Sequence, residues 1–159
     1  MPPVVLKCGW KMKLLRLCVS LIAVIAVAGC DRIDPNSPLG KRKAIYQQML
    51  DVKEDLGGML RGRLEFDAQE FARGTVRLDE LSRQPWQHYP EVKEKQSDAR
   101  DDVWKQQARF HQLARELEAH TAALVAKTAE GTITAQSVTP PFQRVEKACE
   151  DCHKEFRAY

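Results

Sequence analysis

Apolar residues recur at three- and four-residue intervals through most of the chain, a rhythm that predicts helices. From about Leu39 to Leu60, Ile45, Met49, Val52, Leu56 and Met59 line one stripe of a first helix. Gly57 and Gly58 weaken it by roughly 1 kcal/mol each relative to Ala, unless a close-packed neighbour uses the space they leave. A second helix starts after Asp67, a capping residue with Glu70 three positions on and Phe66 and Phe71 spaced as a hydrophobic staple. It runs to about Ser82 and stops before Pro85. The third spans about Asp98 to Glu130, with Val103, Phe110, Ala114, Leu117, Thr121 and Leu124 in a near-heptad rhythm and Gly131 at its end. The fourth opens with Thr139 as cap and Pro140 in its first turn, and carries Phe142, Val145, Cys149, Cys152 and Phe156 on its inward face. No segment alternates as a strand does. The expected fold is all-α: an antiparallel four-helix bundle with one long crossover, "RQPWQHYPEVKEKQ". Loops of that length in compact domains are often functional or drape over something.

The start of the chain reads differently. Residues 12–29, "MKLLRLCVSLIAVIAVAG", join a short basic start to an apolar run and small residues, the layout of a signal peptide. Met12 is a candidate start, with the preceding residues as an upstream extension. "VAGC" resembles a bacterial lipobox, which makes residues 1–29 a lipoprotein signal and Cys30 the lipid-bearing residue. An ordinary secretory signal cut nearby is the alternative. Asp31 resembles the residue that holds some lipoproteins at the inner membrane. Residues 30–40 are then a polar tether, and residues 41–159 the bundle. The formal charge of +3 misleads for the same reason. Four of the 25 basic residues precede Cys30, so 21 basic face 22 acidic side chains beyond the leader, a net of −1. Without a basic stripe, nucleic acid is not an expected partner.

Of the five cysteines, Cys8 and Cys18 go with the leader and Cys30 with the anchor, which leaves "CEDCH" near the end. On a helix Cys149 and Cys152 are about 300° apart and His153 about 100° further, so all three project from one side. C-x-x-C-H is the signature of c-type haem attachment: two thiols add to the porphyrin's two vinyl groups and the adjacent imidazole reaches the iron. Three other uses compete. A thioredoxin-like pair needs a strand before it and a helix beginning at it. Zinc needs a fourth ligand from His88, His111 or His120, each isolated in sequence. A disulfide within one helical turn is strained. An export signal supplies the compartment in which haem is ligated, and the expected cofactor is one covalent haem c, with His153 as axial iron ligand.

With "CEDCHKEFR" at the carboxyl end, Arg42, Tyr46 and Met49 ahead of "RGRLEFDA", "DDVW" at Trp104 and "FQRVEKAC", the chain resembles the cytochrome c′ family, class II c-type cytochromes. Cytochrome c′ is a known example of the bundle architecture. The resemblance covers Arg42 to Arg157. It implies a five-coordinate haem with Tyr46 over the open iron face, Arg42 near a propionate and Arg157 on the proximal side. Arg42 and Tyr46, four residues apart, can face one haem. Met49, one turn beyond Tyr46, is either core packing or a sixth ligand. His88 shares the long loop with Trp86 and Tyr89.

The function expected from the resemblance is capture of nitric oxide or carbon monoxide in the periplasm by a membrane-anchored cytochrome. The alternative is an electron carrier, low-spin or high-spin, serving a redox partner in a respiratory or photosynthetic membrane chain. No distal His and Arg pair is placed for O–O cleavage, so no catalytic residue is assigned. The resemblance also implies pairing of the first two helices in a homodimer.

Overall fold

The computed structural model describes residues 33–158. Residues 1–29, Cys30 and Asp31 lie outside the described residues. Helix α1 spans Pro38–Leu60, α2 Ala68–Ser82, a 3-10 turn Pro85–His88, α3 Asp102–Lys105, α4 Gln107–Thr128 and α5 Ala135–Phe156. The long helices α1, α2, α4 and α5 make a four-helix bundle, in which α4 packs chiefly on α5 and α2, and α1 on α2 and the 3-10 turn. No helix among the described residues is long and apolar enough to cross a membrane.

Helix α1 starts inside the expected tether. The Ser37 hydroxyl caps it by accepting from the Gly40 amide at 3.0 Å, and Pro38 occupies the first turn, where a missing N–H costs nothing. Leu39, at the expected start of the helix, is buried. At the other end the chain folds back so that the Arg63 and Leu64 amides both reach the Gly58 carbonyl, at 2.9 and 3.1 Å. A Cβ on Gly58 would sit 3.0 Å from Leu64 Cδ1, so Leu64 is the neighbour that uses the space. Helix α2 begins as predicted, with the Asp67 carboxylate accepting from the Glu70 amide at 2.8 Å and the Phe66 and Phe71 rings 5.5 Å apart.

Two boundaries move. The third helix does not begin at Asp98, because residues 98–100 pair with the chain's end. The Arg100 amide donates to the Phe156 carbonyl and the Ala158 amide to the Asp98 carbonyl, both at 2.8 Å. With those backbone groups satisfied across the bundle, the helix starts at Asp102, breaks at Gln106 (φ −124°, ψ 47°) and resumes as α4. The last helix begins five residues earlier than the Thr-Pro-Pro run suggests. Thr134 and Ser137 form a reciprocal capping box, Ser137 N to Thr134 Oγ1 at 3.2 Å and Thr134 N to Ser137 Oγ at 3.0 Å. Thr139, expected as the cap, instead donates to the Ala135 carbonyl at 2.7 Å. Pro140 and Pro141 thus lie inside α5, and the box together with Val138, which is fully buried, outweighs their missing donors.

The apolar stripes meet as two clusters. The larger gathers Ile45, Met49, Leu56, Phe71, Leu78, Leu117, Phe142 and Val145, among others, from all four long helices. The smaller holds Val103, Phe110, Leu113 and Phe156, and Trp86 packs on both. Polar side chains buried between α2 and α4 pair with one another: Thr75 with Thr128, and Ser82 with Thr121, each at 3.1 Å.

Candidate haem site

Helix α5 carries the cysteines where the clusters meet. Cys149 packs on the larger and Cys152 on the smaller, and neither is in a disulfide. Burial pushes both thiols up to about 11, with the neighbouring Cys149 adding to the effect at Cys152. They are therefore neutral, the opposite of the low-pKa thiol of a redox-active pair, and they sit well inside a helix rather than at its start. Among the described residues no group of three or more His, Cys, Asp or Glu side chains is placed to hold a metal ion, so the zinc alternative has no ligand set there. His111 is exposed and lies against Phe110, while His120 is half-buried on α4.

His153 follows on the outer side of α5. Partial desolvation holds its pKa below the usual imidazole value, and the positive charges of Arg157 and Lys53 act in the same direction. The ring is thus neutral near pH 7, with a lone pair free on one nitrogen, the form that binds a metal. Arg157 is one turn on, its amide donating to the His153 carbonyl at 3.1 Å. Lys53, on α1, was not singled out from sequence; its charge reaches both Cys149 and His153.

Across from the cysteines, α1 presents Arg42, Tyr46 and Met49. Tyr46 is largely buried, its ring 6.4 Å from that of Trp86 in an edge-on arrangement and its hydroxyl 3.1 Å from the hydroxyl of Tyr89. Its pKa is raised well above the ordinary phenol value, first by burial and then by Tyr89. Met49, 7% exposed, is part of the larger core cluster.

Arg42 is held by the chain itself. It is only 2% exposed and turns into the protein, where Glu94 takes both prongs of its guanidinium at 2.7 and 2.9 Å. The His88 carbonyl and Ser97 hydroxyl accept at 3.0 and 2.9 Å, and the Tyr89 ring lies 4.5 Å beneath. In this structure a carboxylate of the chain itself takes that fork, because the crossover loop folds over the start of α1. The loop also supplies what sequence reasoning left unassigned. Trp86 donates to Glu118 at 2.8 Å, Trp104 donates to the Pro90 carbonyl at 2.7 Å, and the Tyr89 ring meets Trp104 and Phe110 edge-on. The signal was the loop's length and its aromatic content.

The donor set fits haem c. Two neutral thiols one helical turn apart and a neutral imidazole beside the second are what covalent attachment and iron ligation require of a protein.

The family model described as Cytochrome C′ matches residues 37–157. The cytochrome c′ of Rhodopseudomonas palustris is 26% identical over 148 residues, which span 91% of this chain and 98% of that one. Among solved structures, cytochrome c prime from Shewanella frigidimarina aligns with a TM-score of 0.73 at 21% identity, over 81% of this chain and 100% of that chain. The nitric oxide complex of a point mutant of cytochrome c prime from Alcaligenes xylosoxidans aligns with a TM-score of 0.71 at 22% identity, over 81% and 99%. A carbon monoxide-bound variant of the same protein aligns equally well, with a TM-score of 0.71 at 22% identity, over 81% and 100%.

Proposed function

Because the chain belongs to the cytochrome c′ family, we propose that it is a membrane-tethered cytochrome that captures nitric oxide or carbon monoxide at an iron held by His153 and screened by Tyr46. The family comprises periplasmic c-type cytochromes, and its cofactor, covalent haem c, is this chain's cofactor. When bound, haem c supplies an iron with a coordination position for a diatomic gas. In this reading Cys149 and Cys152 would hold haem c through thioethers, and the neutral imidazole of His153 would bind its iron.

The observation that carries the reading is Tyr46: largely buried and neutral, it stands on α1, which packs on the helix that bears the thiols and the imidazole. A phenol whose pKa is raised keeps its proton at neutral pH and is a poor iron ligand, so its bulk screens the position without filling it. Arg157 keeps a positive charge beside the imidazole and disfavours its protonation. The electron-carrier alternative with Met49 as sixth ligand has less support, since core packing accounts for that side chain. The lipid anchor at Cys30 would hold the bundle near a bilayer.

Absorption spectra of the purified protein, oxidised, reduced, and reduced with each gas, test the proposal. A high-spin, five-coordinate haem whose ferrous spectrum changes with both gases is expected. A ferrous spectrum unmoved by excess nitric oxide overturns it.

A further inference from the structure

Only Asp31 and Arg32 separate Cys30 from Ile33, and a fully extended chain covers no more than about 11 Å over those three steps. A lipid on Cys30 therefore keeps Ile33 within about that distance of a bilayer surface. The residues that follow do not lengthen the tether: the Asp34 carbonyl accepts from the Ser37 hydroxyl at 2.6 Å and from its amide at 3.1 Å, which folds them onto the start of α1. The crossover loop is fixed at the same place. Ser97 accepts from Arg42 at 2.9 Å, and Asp98 meets Lys43 at 3.1 Å. The Arg100 amide in turn donates to the carbonyl of Phe156, at the end of the helix that bears Cys149, Cys152 and His153. Tether, loop and cysteine-bearing turns thus share one end of the bundle. The turn between α4 and α5, with Thr132 exposed, is at the other end, since the 22 residues of α4 span about 33 Å.

Val92, 77% exposed, is the most exposed large apolar side chain among the described residues, and it belongs to that loop. Three acids of the same segment are paired within the protein: Glu94 with Arg42, Asp98 with Lys43 and Asp101 with Lys93. Exposed Asp34 and Glu91 are balanced in number by exposed Lys41 and Lys95, so this end carries little net charge to repel lipid headgroups. We propose that this end of the bundle is seated on the bilayer: the short tether holds it there, and the crossover loop around Val92 makes the contact. This rests on the reading of Cys30 as the lipid anchor. The far end could reach the surface only if the whole bundle lay flat. A gas leaving the bilayer then meets the haem-bearing end first.

The test uses the full haem-loaded, lipid-bearing protein in vesicles of phosphatidylethanolamine and phosphatidylglycerol, with and without a nickel-chelating lipid. A nitroxide is attached on the loop through Glu91→Cys, which leaves Val92 in place, or at the far end through Thr132→Cys; both positions are exposed. Nickel speeds the relaxation of a nitroxide steeply with proximity, so its effect at residue 91 should exceed that at residue 132 severalfold. A flexible Gly-Ser segment inserted after Arg32 should bring the two effects together. Equal effects without the insertion, a larger effect at residue 132, or an insertion that changes nothing overturns the proposal. So does label–label broadening at residue 91, which would put a second copy there. Mass spectrometry of the peptide that begins at Cys30 keeps the two readings apart. With the lipid present and the two effects equal, the seating fails and the anchor stands. With the lipid absent, the anchor fails and takes the seating with it.

Discussion

Arg42 and Glu94 meet as a two-pronged pair, Nη1 to Oε1 at 2.7 Å and Nη2 to Oε2 at 2.9 Å, joining the start of α1 to a loop 52 residues on. Charge-assisted bonds of this geometry are among the stronger polar contacts a protein makes. This one is half sheltered: Arg42 is 2% exposed and Glu94 24%. Glu94→Gln leaves a buried guanidinium without its counter-charge and should cost about 3 kcal/mol, at the low end for a broken buried pair because Glu94 is partly solvated. Denaturant unfolding at pH 7 measures it.

The same pair sets a pH dependence. The hydrogen bond from Arg42 holds the Glu94 carboxyl below its usual value. A depressed folded-state pKa contributes stability that is fully present above the unfolded value, about 4.3, and is lost as pH falls through the folded value. The wild type should therefore lose stability below about pH 4 more steeply than Glu94→Gln. Thermal melts between neutral and acid pH check this, and parallel curves for the two proteins would exclude it.

Met49 separates packing from ligation. At 7% exposed in the main cluster, its replacement by Ala should cost about 2–5 kcal/mol through a cavity, while the haem spectrum stays that of the wild type. Conversion from low to high spin in Met49→Ala would instead identify the thioether as a ligand.

The start of α5 gives a sharper contrast. Thr134→Ala breaks the capping box and should cost about 1 kcal/mol. Thr139→Ala, inside the helix, removes no cap and should cost less. The reverse order in a pair of unfolding curves would restore the later start.

Tyr46→Ala clears bulk from the distal side. Carbon monoxide association should speed by about tenfold for each ~1.4 kcal/mol of barrier removed. Stopped-flow mixing reads it directly.

Much of this was legible in the chain. The stripe through Ile45, Met49 and Leu56, the Asp67 cap and the C-x-x-C-H run each express a local rule, and local rules are what a sequence displays. The departures arise where distant segments compete for the same groups. Residues 98–100 surrender helix to pair with Phe156 and Ala158, and Arg42 finds Glu94, partners that no spacing reveals. Thr134 was overlooked for a different reason: Thr139 followed by two prolines is a strong start signal, and the quieter Thr134–Ser137 box outranked it only because Val138 had a core to enter. Tyr89 carried no motif at all; its place is set by the ring of Phe110 and the charge of Arg42 around it.

The central claim is that Cys149 and Cys152 bear the cofactor. Peptide mass spectrometry of the protein purified from a host that matures c-type cytochromes tests it most directly. The segment containing Cys149, Cys152 and His153 should carry a single haem through both sulfurs, and replacing both cysteines by Ser should release the haem to acidic organic solvent. Two unmodified thiols in that segment, in material that still contains haem, would contradict the account.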